Sequence, residues 1–281
     1  MSSFLKFAFV LILLAGCETP SESKQISDSS STQESDLPKV NSNSSSTQES
    51  DLPKVNWKEG ERTTDDAPAT GEFKVKFETT AGDFTMRVHR DWAPRGAERF
   101  HQLIKSKYYD GSPFYRVIPS FMVQFGMCGD AKGTQYWNES FKDDPVKQSN
   151  TVGKVTYAMA GPNTRSTQLF INYADNAGLD RQGFAPFGEI TEGMENVRKI
   201  NAKYSERPSQ GKMAREGNKY VFKEFPEISY ITRAFFVDDE GKEIEGGEQA
   251  EGEAKEGEHA EHSEEDHDHK HEESGSGKKD K

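Results

Sequence analysis

The chain has 281 residues, a formal net charge of −12 and only 32% hydrophobic residues. The charge divides sharply: residues 238–281 hold 18 Asp/Glu against 6 Lys/Arg, residues 1–70 hold 11 against 6, and residues 71–237 hold 19 against 24. A modest excess of base with no Lys/Arg run argues against nucleic acid as a partner, and two cysteines, Cys17 and Cys128, rule out a disulfide scaffold.

Lys6 precedes an apolar run over residues 7–15. That run is too short to cross a bilayer, which takes about 20 residues, and has the length of a signal-peptide core. It ends in Leu14-Ala15-Gly16-Cys17, which resembles a bacterial lipobox. The resemblance implies a signal peptide over 1–16, acyl chains (palmitate among them) on Cys17, and attachment to the membrane without a transmembrane helix. The expected location is the bacterial cell envelope. Glu18 after the cysteine lacks the Asp-type retention signal of enteric bacteria and favours the outer membrane over the inner.

Residues 17–70 are rich in Ser, Thr, Asp, Glu, Asn and Pro and read as a disordered linker, because such a composition buries too little apolar surface to offset chain entropy. Within it, SSSTQESDLPKVN at 29–41 recurs letter for letter at 44–56. A single duplication marks a spacer and not a solenoid, which needs several units.

Residues 71–237 hold nearly all the Phe and Tyr and suffice for one well-buried domain. Phe73, Val75 and Phe77, then Phe84, Met86 and Val88 across an Ala81-Gly82-Asp83 turn, alternate as a half-buried hairpin. Asp91 with Pro94 marks a helix start, and Ala97, Phe100, Leu103 and Ile104 share one helical face. Strands follow at 114–118 and 122–125, a long loop at 129–151, strands at 154–159, 168–172 and 185–190, a short helix at 194–200, a loop at 208–211, a short helix near 219–224 and a closing strand within 227–237. Many short strands with two main helices suggest a closed antiparallel barrel.

Three blocks stand out: Phe114-Tyr115-Arg116-Val117-Ile118-Pro119-Ser120-Phe121-Met122-Val123-Gln124, Ala158-Met159-Ala160-Gly161-Pro162-Asn163-Thr164, and Gln168-Leu169-Phe170-Ile171. In this order and spacing they resemble the cyclophilin family of peptidyl-prolyl cis-trans isomerases, and residues 183–188 fit its bacterial branch. The resemblance covers about residues 72–237. It implies a mainly β fold, a closed eight-stranded antiparallel barrel capped by two helices, with an apolar groove that grips proline. It further implies Arg116 as the catalytic donor and Gln124 as the residue that orients it. Phe121, Met122, Phe170 and Leu179 would pack on the proline ring, Ala158 would form a wall, and the main chain of Met159 would pair with the peptide. Phe184 aligns where eukaryotic members place a groove His, and Gly178 stands where many carry a Trp, which implies weak cyclosporin binding. Leu169 and Phe187 read as core. No cofactor is implied; the partners are proline-containing polypeptides and the membrane, and a monomer is expected. An alternative is a proline-segment-binding chaperone or adaptor with incidental isomerase activity.

Residues 238–281 read as a disordered acidic tail carrying His259, His262, His267, His269 and His271. The last three alternate with Asp268 and Lys270 and are weak candidates for Zn²⁺, Ni²⁺ or Cu²⁺; no metal is assigned, since the spacing matches no structural zinc site. Cys128 reads as a small buried hydrophobe.

Overall fold

The computed structural model describes residue 50 and residues 52–246. Eight strands form one antiparallel sheet: β1 Glu72–Thr79, β2 Phe84–His89, β3 Arg116–Ile118, β4 Met122–Phe125, β5 Lys154–Tyr157, β6 Leu169–Asn172, β7 Pro186–Glu192 and β8 Ile231–Val237. They lie side by side in the order β3-β4-β6-β5-β7-β2-β1-β8. Period-2 patterning sets the inner face. Phe73, Val75, Phe77, Met86, Val88, Val123, Phe125, Val155, Ile171 and Phe187 are at most 2% exposed and share one core. At its centre Phe77, Phe100, Tyr109 and Phe125 meet with ring centroids 5.8–6.4 Å apart. Each such buried ring contributes on the order of 1.5–3 kcal/mol.

Among the described residues the sheet has two ends, with no ladder joining β3 to β8, so the expected closed barrel is not confirmed. The residues just before those strands tie the ends together. Pro113 and Tyr230 form an isolated bridge, Phe114 N–H donates to Ser229 O (2.9 Å), and Ile231 N–H donates to Ser112 O (2.9 Å).

Two main helices were expected; the described residues hold five. Helix α1, Pro94–Lys105, lays Ala97, Phe100, Leu103 and Ile104 on the sheet. Asp91 is not its cap. The N-cap is Ala93, and the first-turn amides of Arg95 and Gly96 are met by the carboxylate of Asp144 (3.1 and 2.9 Å). The stretch expected as loop contains α2, Ala131–Trp137, started by Asp130 accepting from Lys132 N–H at 2.9 Å. Helices α3 Met194–Val197, α4 Gln210–Glu216 and α5 Asn218–Glu224 come next. Helix α4 falls partly where a loop was expected, with Ser209 as its N-cap. Met213 and Val221 on α4 and α5 build a second apolar cluster with Tyr115, Met127, Tyr204 and Phe225.

The folded unit reaches beyond residues 71–237 on both sides. Residues 52–64, expected within the linker, lie on the domain. Val55 and Trp57 pack against the main core and Leu52 against the second cluster. Lys58 N–H donates to Ser106 O (2.8 Å), while Arg99 and Gln102 of α1 donate to the carbonyls of Arg62 and Thr63 (2.6 Å each). Trp57 Nε1–H donates to Asp130 (3.1 Å), and its ring sits 5.9 Å from Tyr136. Trp57→Ala is expected to cost about 2 kcal/mol, less than truncating a fully buried Trp, and a urea unfolding curve checks it. At the other end Ile244 N–H donates to Phe236 O, and His101 Nε2 meets Gly246 O (2.8 Å). Burial holds the His101 imidazole below its ordinary pKa.

Cys128 is a free, buried cysteine. Burial pushes its thiol up to about 12. It should therefore resist Ellman's reagent at pH 8 in the folded protein and react on addition of denaturant, which a thiol count with and without urea measures.

Candidate active site

The sheet register collects the three sequence blocks on one face. Arg116 pairs with Gln124 across β3–β4, Gln124 with Phe170 across β4–β6, and Phe170 with Thr156 across β6–β5. Met122 pairs with Ile118 and Asn172 one step along. Side chains alternate along a strand, so Arg116, Met122, Gln124 and Phe170 share the face opposite to Val117, Val123 and Ile171, which fill the core.

A polar chain runs along that face. Tyr115 OH donates to Gln168 Oε1 (2.6 Å), Gln124 Nε2–H donates to the same oxygen (3.1 Å), and Arg116 Nη1–H approaches Gln124 Oε1 at 3.4 Å. Tyr115 is buried, which raises its hydroxyl well above the ordinary range, so it acts as a neutral donor. On the far side Arg116 Nε–H donates to Glu206 Oε1 at 2.5 Å. Ser205, at φ 50°, turns the chain so that its carbonyl accepts Val117 N–H (3.1 Å) while Glu206 comes back to the guanidinium. The guanidinium is thus fixed through Nε and Nη1. Among the described residues Nη2 has no partner. The Phe121 ring lies 6.0 Å from the guanidinium carbon.

The apolar wall comes from the segment after β6. A 3-10 turn, Ala177–Gln182, carries Leu179, and Phe184 N–H donates back to Leu179 O (3.3 Å). The Phe184 ring stands edge-on to Phe170 with centroids 5.8 Å apart. Asn150, fully buried, holds this segment to the sheet. Its amide N–H groups donate to Asp180 Oδ1 and Phe184 O (2.8 Å each), and its oxygen accepts from Thr156 (2.8 Å). Burial alone would raise the Asp180 carboxyl, but hydrogen bonds from Ser149 and Asn150 outweigh it and lower the pKa.

The structure therefore brings together Arg116, Gln124, Phe121, Phe170 and Phe184. Met122 lies on the same face, buried. Leu179 is half-buried on the adjoining turn. Ala158 and Met159 come directly after β5, half-buried, with Ala158 N–H donating to Gln168 O and the Met159 methyl beside Gly183. Cys17, His267, His269 and His271 lie outside the described residues. Sequence reasoning gave no role to Tyr115, Asn150, Gln168 or Glu206. Gln168 was within reach, standing at the head of a block already singled out. Glu206 lies 90 residues from its partner, and no local pattern marks it. No group of three or more His, Cys, Asp or Glu able to hold a metal occurs among the described residues.

The family model described as cyclophilin type peptidyl-prolyl cis-trans isomerase/CLD matches residues 74–218. The chain is a cyclophilin. Among curated proteins this cyclophilin is 36% identical over 131 residues to peptidyl-prolyl cis-trans isomerase-like 1 of Rhizopus delemar, covering 45% of this chain and 79% of that one. It is 33% identical over 135 residues to peptidyl-prolyl cis-trans isomerase cypE of Dictyostelium discoideum, covering 47% and 86%. With cyp15 of Rhizopus delemar it shares 38% over 128 residues, which is 44% of this chain and a fifth (20%) of that protein. A crystal structure of a cyclophilin type peptidyl-prolyl cis-trans isomerase from Cryptosporidium parvum aligns with a TM-score of 0.45 and 23% identity, over 60% of this chain and 99% of that one.

Proposed function

We propose that this cyclophilin, a peptidyl-prolyl cis-trans isomerase, turns over X-Pro bonds on the face that carries Arg116. The observation that carries the reading is the guanidinium held through Nε and Nη1 beside Phe121, Phe170 and Phe184. An X-Pro amide rotates over a barrier of about 18–20 kcal/mol because the nitrogen lone pair is delocalised into the carbonyl. In the twisted state that lone pair localises and becomes a hydrogen-bond acceptor. A fixed N–H donor from Arg116 meets it there and in neither planar ground state, so the contact lowers the barrier without tightening substrate binding. Arginine stays protonated at any relevant pH and needs no proton exchange to act. Gln124 and Glu206 orient the guanidinium. Phe121, Met122, Phe170, Leu179 and Phe184 seat the ring, and Ala158 with the main chain of Met159 receives the peptide. The test is an NMR exchange measurement on a proline tetrapeptide; a rate no greater than that of the uncatalysed peptide overturns the reading.

The setting is proposed from the sequence. Leu14-Ala15-Gly16-Cys17 supports a lipid-anchored protein of the bacterial envelope that assists exported proteins, and Glu18 favours the outer membrane over the inner. The curated relatives named above are eukaryotic, so the bacterial, lipoprotein form rests on that motif and on the fit of residues 183–188. Metabolic labelling with a palmitate analogue, lost in Cys17→Ser, supports it; labelling unchanged by that substitution overturns it. Proline-segment binding without turnover is the second reading, and it predicts biological activity that survives Arg116→Ala.

A further inference from the structure

We propose that the folded domain carries a second peptide-binding site for the sequence Leu-Pro-Lys-Val-Asn, and that the two copies of that sequence in the chain compete for it. The second copy, residues 52–56, occupies the site. Leu52 packs on the cluster beneath α4 and α5. Val55 fills a slot that two glycines leave open: a Cβ on Gly129 would lie 2.7 Å from its Cγ2, and one on Gly111 would lie 3.0 Å from it. Asn56 Nδ2–H donates to Asp110 Oδ2 (3.3 Å), a buried carboxylate whose other oxygen accepts Ala234 N–H (3.2 Å). Leucine, valine and asparagine recur with the same spacing at Leu37, Val40 and Asn41. The first copy therefore offers the site the same three side chains.

The two copies differ in the residue that comes next. Trp57 has no counterpart, because Ser42 stands after Asn41. The exchange thus keeps Trp57 on α2, seats 37–41 in the slot and loops out the 15 residues 42–56. The contacts in the slot are the same in both registers, so the difference is loop closure. For 15 residues this disfavours the first copy by about sixtyfold. Any change that weakens the second copy by more than this hands the site to the first.

The test uses the full chain with Val40→Asp, Val55→Asp and the double variant, read by unfolding equilibria and by the amide resonances of Gly111 and Gly129. An aspartate in the apolar slot has no partner and is strongly disfavoured there. Val40→Asp should behave as wild type. Val55→Asp should lose no more than about sixtyfold in the unfolding constant, with both glycine resonances near their wild-type positions. The double variant should lose more, and its glycine resonances should move. Equal losses in Val55→Asp and the double variant overturn the proposal, as does a rescue that disappears on dilution, since the occupant would then come from a second molecule. Leu52→Asp with and without Leu37→Asp repeats the comparison at the other anchor if Val55→Asp prevents folding.

Discussion

Arg116→Ala is expected to lower kcat/KM on a proline tetrapeptide by about a hundred- to a thousandfold, the usual loss on removing one preorganised transition-state donor. The effect should fall on kcat with little change in KM, because the bond is made only in the twisted state. Arg116→Lys should recover little. A lysine has no Nε–H to give Glu206 while another donor reaches the substrate, so its ammonium would not be held from two sides. Stability should barely change. The side chain is 28% exposed, its ion pair with Glu206 is 56% exposed on the acid's side, and surface pairs of this kind contribute about 0–1 kcal/mol. A loss below about fivefold, with an unfolding curve that matches wild type, would remove Arg116 from the chemistry.

The largest expected effect on stability is at Asp144. Its side chain is fully buried and is bonded to Arg165 Nη1 at 3.0 Å, where Arg165 is 2% exposed. The same carboxylate accepts two amides at the start of α1. Arg165 also donates to Asp143 (3.1 Å) and to Lys142 O, and its guanidinium carbon lies 4.5 Å from the Phe141 ring. Asp144→Ala leaves a buried cation with reduced compensation and two helix amides without acceptors, and should cost about 3–5 kcal/mol in urea unfolding. Asp144→Asn keeps an oxygen for an amide but not the charge, so it should fall between. If alanine costs under about 1 kcal/mol, water has entered the site and the network is not what fixes this loop. The consequence extends to the proposed isomerase face, because Arg165 stands three residues before Gln168.

The sequence made the strands legible because their cause is local. Phe73, Val75 and Phe77 alternate, and the pairing of β3 with β4 reflects two short apolar runs around Pro119-Ser120. The family blocks made the proposed isomerase face legible in the same way, since Arg116, Gln124 and Phe170 stand inside them. What stayed hidden depends on partners far along the chain. Residues 52–64 look like linker in any local window. Three apolar anchors, Leu52, Val55 and Trp57, and hydrogen bonds given to Ser106 O and received from Arg99 and Gln102 hold them, and neither sign shows in composition. Asn150 and Glu206 belong to the same class. Closure of the barrel was not legible, because strand count carries no information about whether the last ladder forms.

The strand that carries Arg116 is also one end of the sheet and only three residues long. An open strand edge is a template for pairing with a neighbouring chain, and natural proteins shorten or cover such edges. Here the cover is the turn that supplies Ser205 O to Val117 N–H and Glu206 to Arg116. One turn thus orients the guanidinium and shields the edge from self-association. Cutting that turn away to expose the arginine would also create a sticky edge, so a deletion variant lacking it should aggregate before it reveals anything about catalysis.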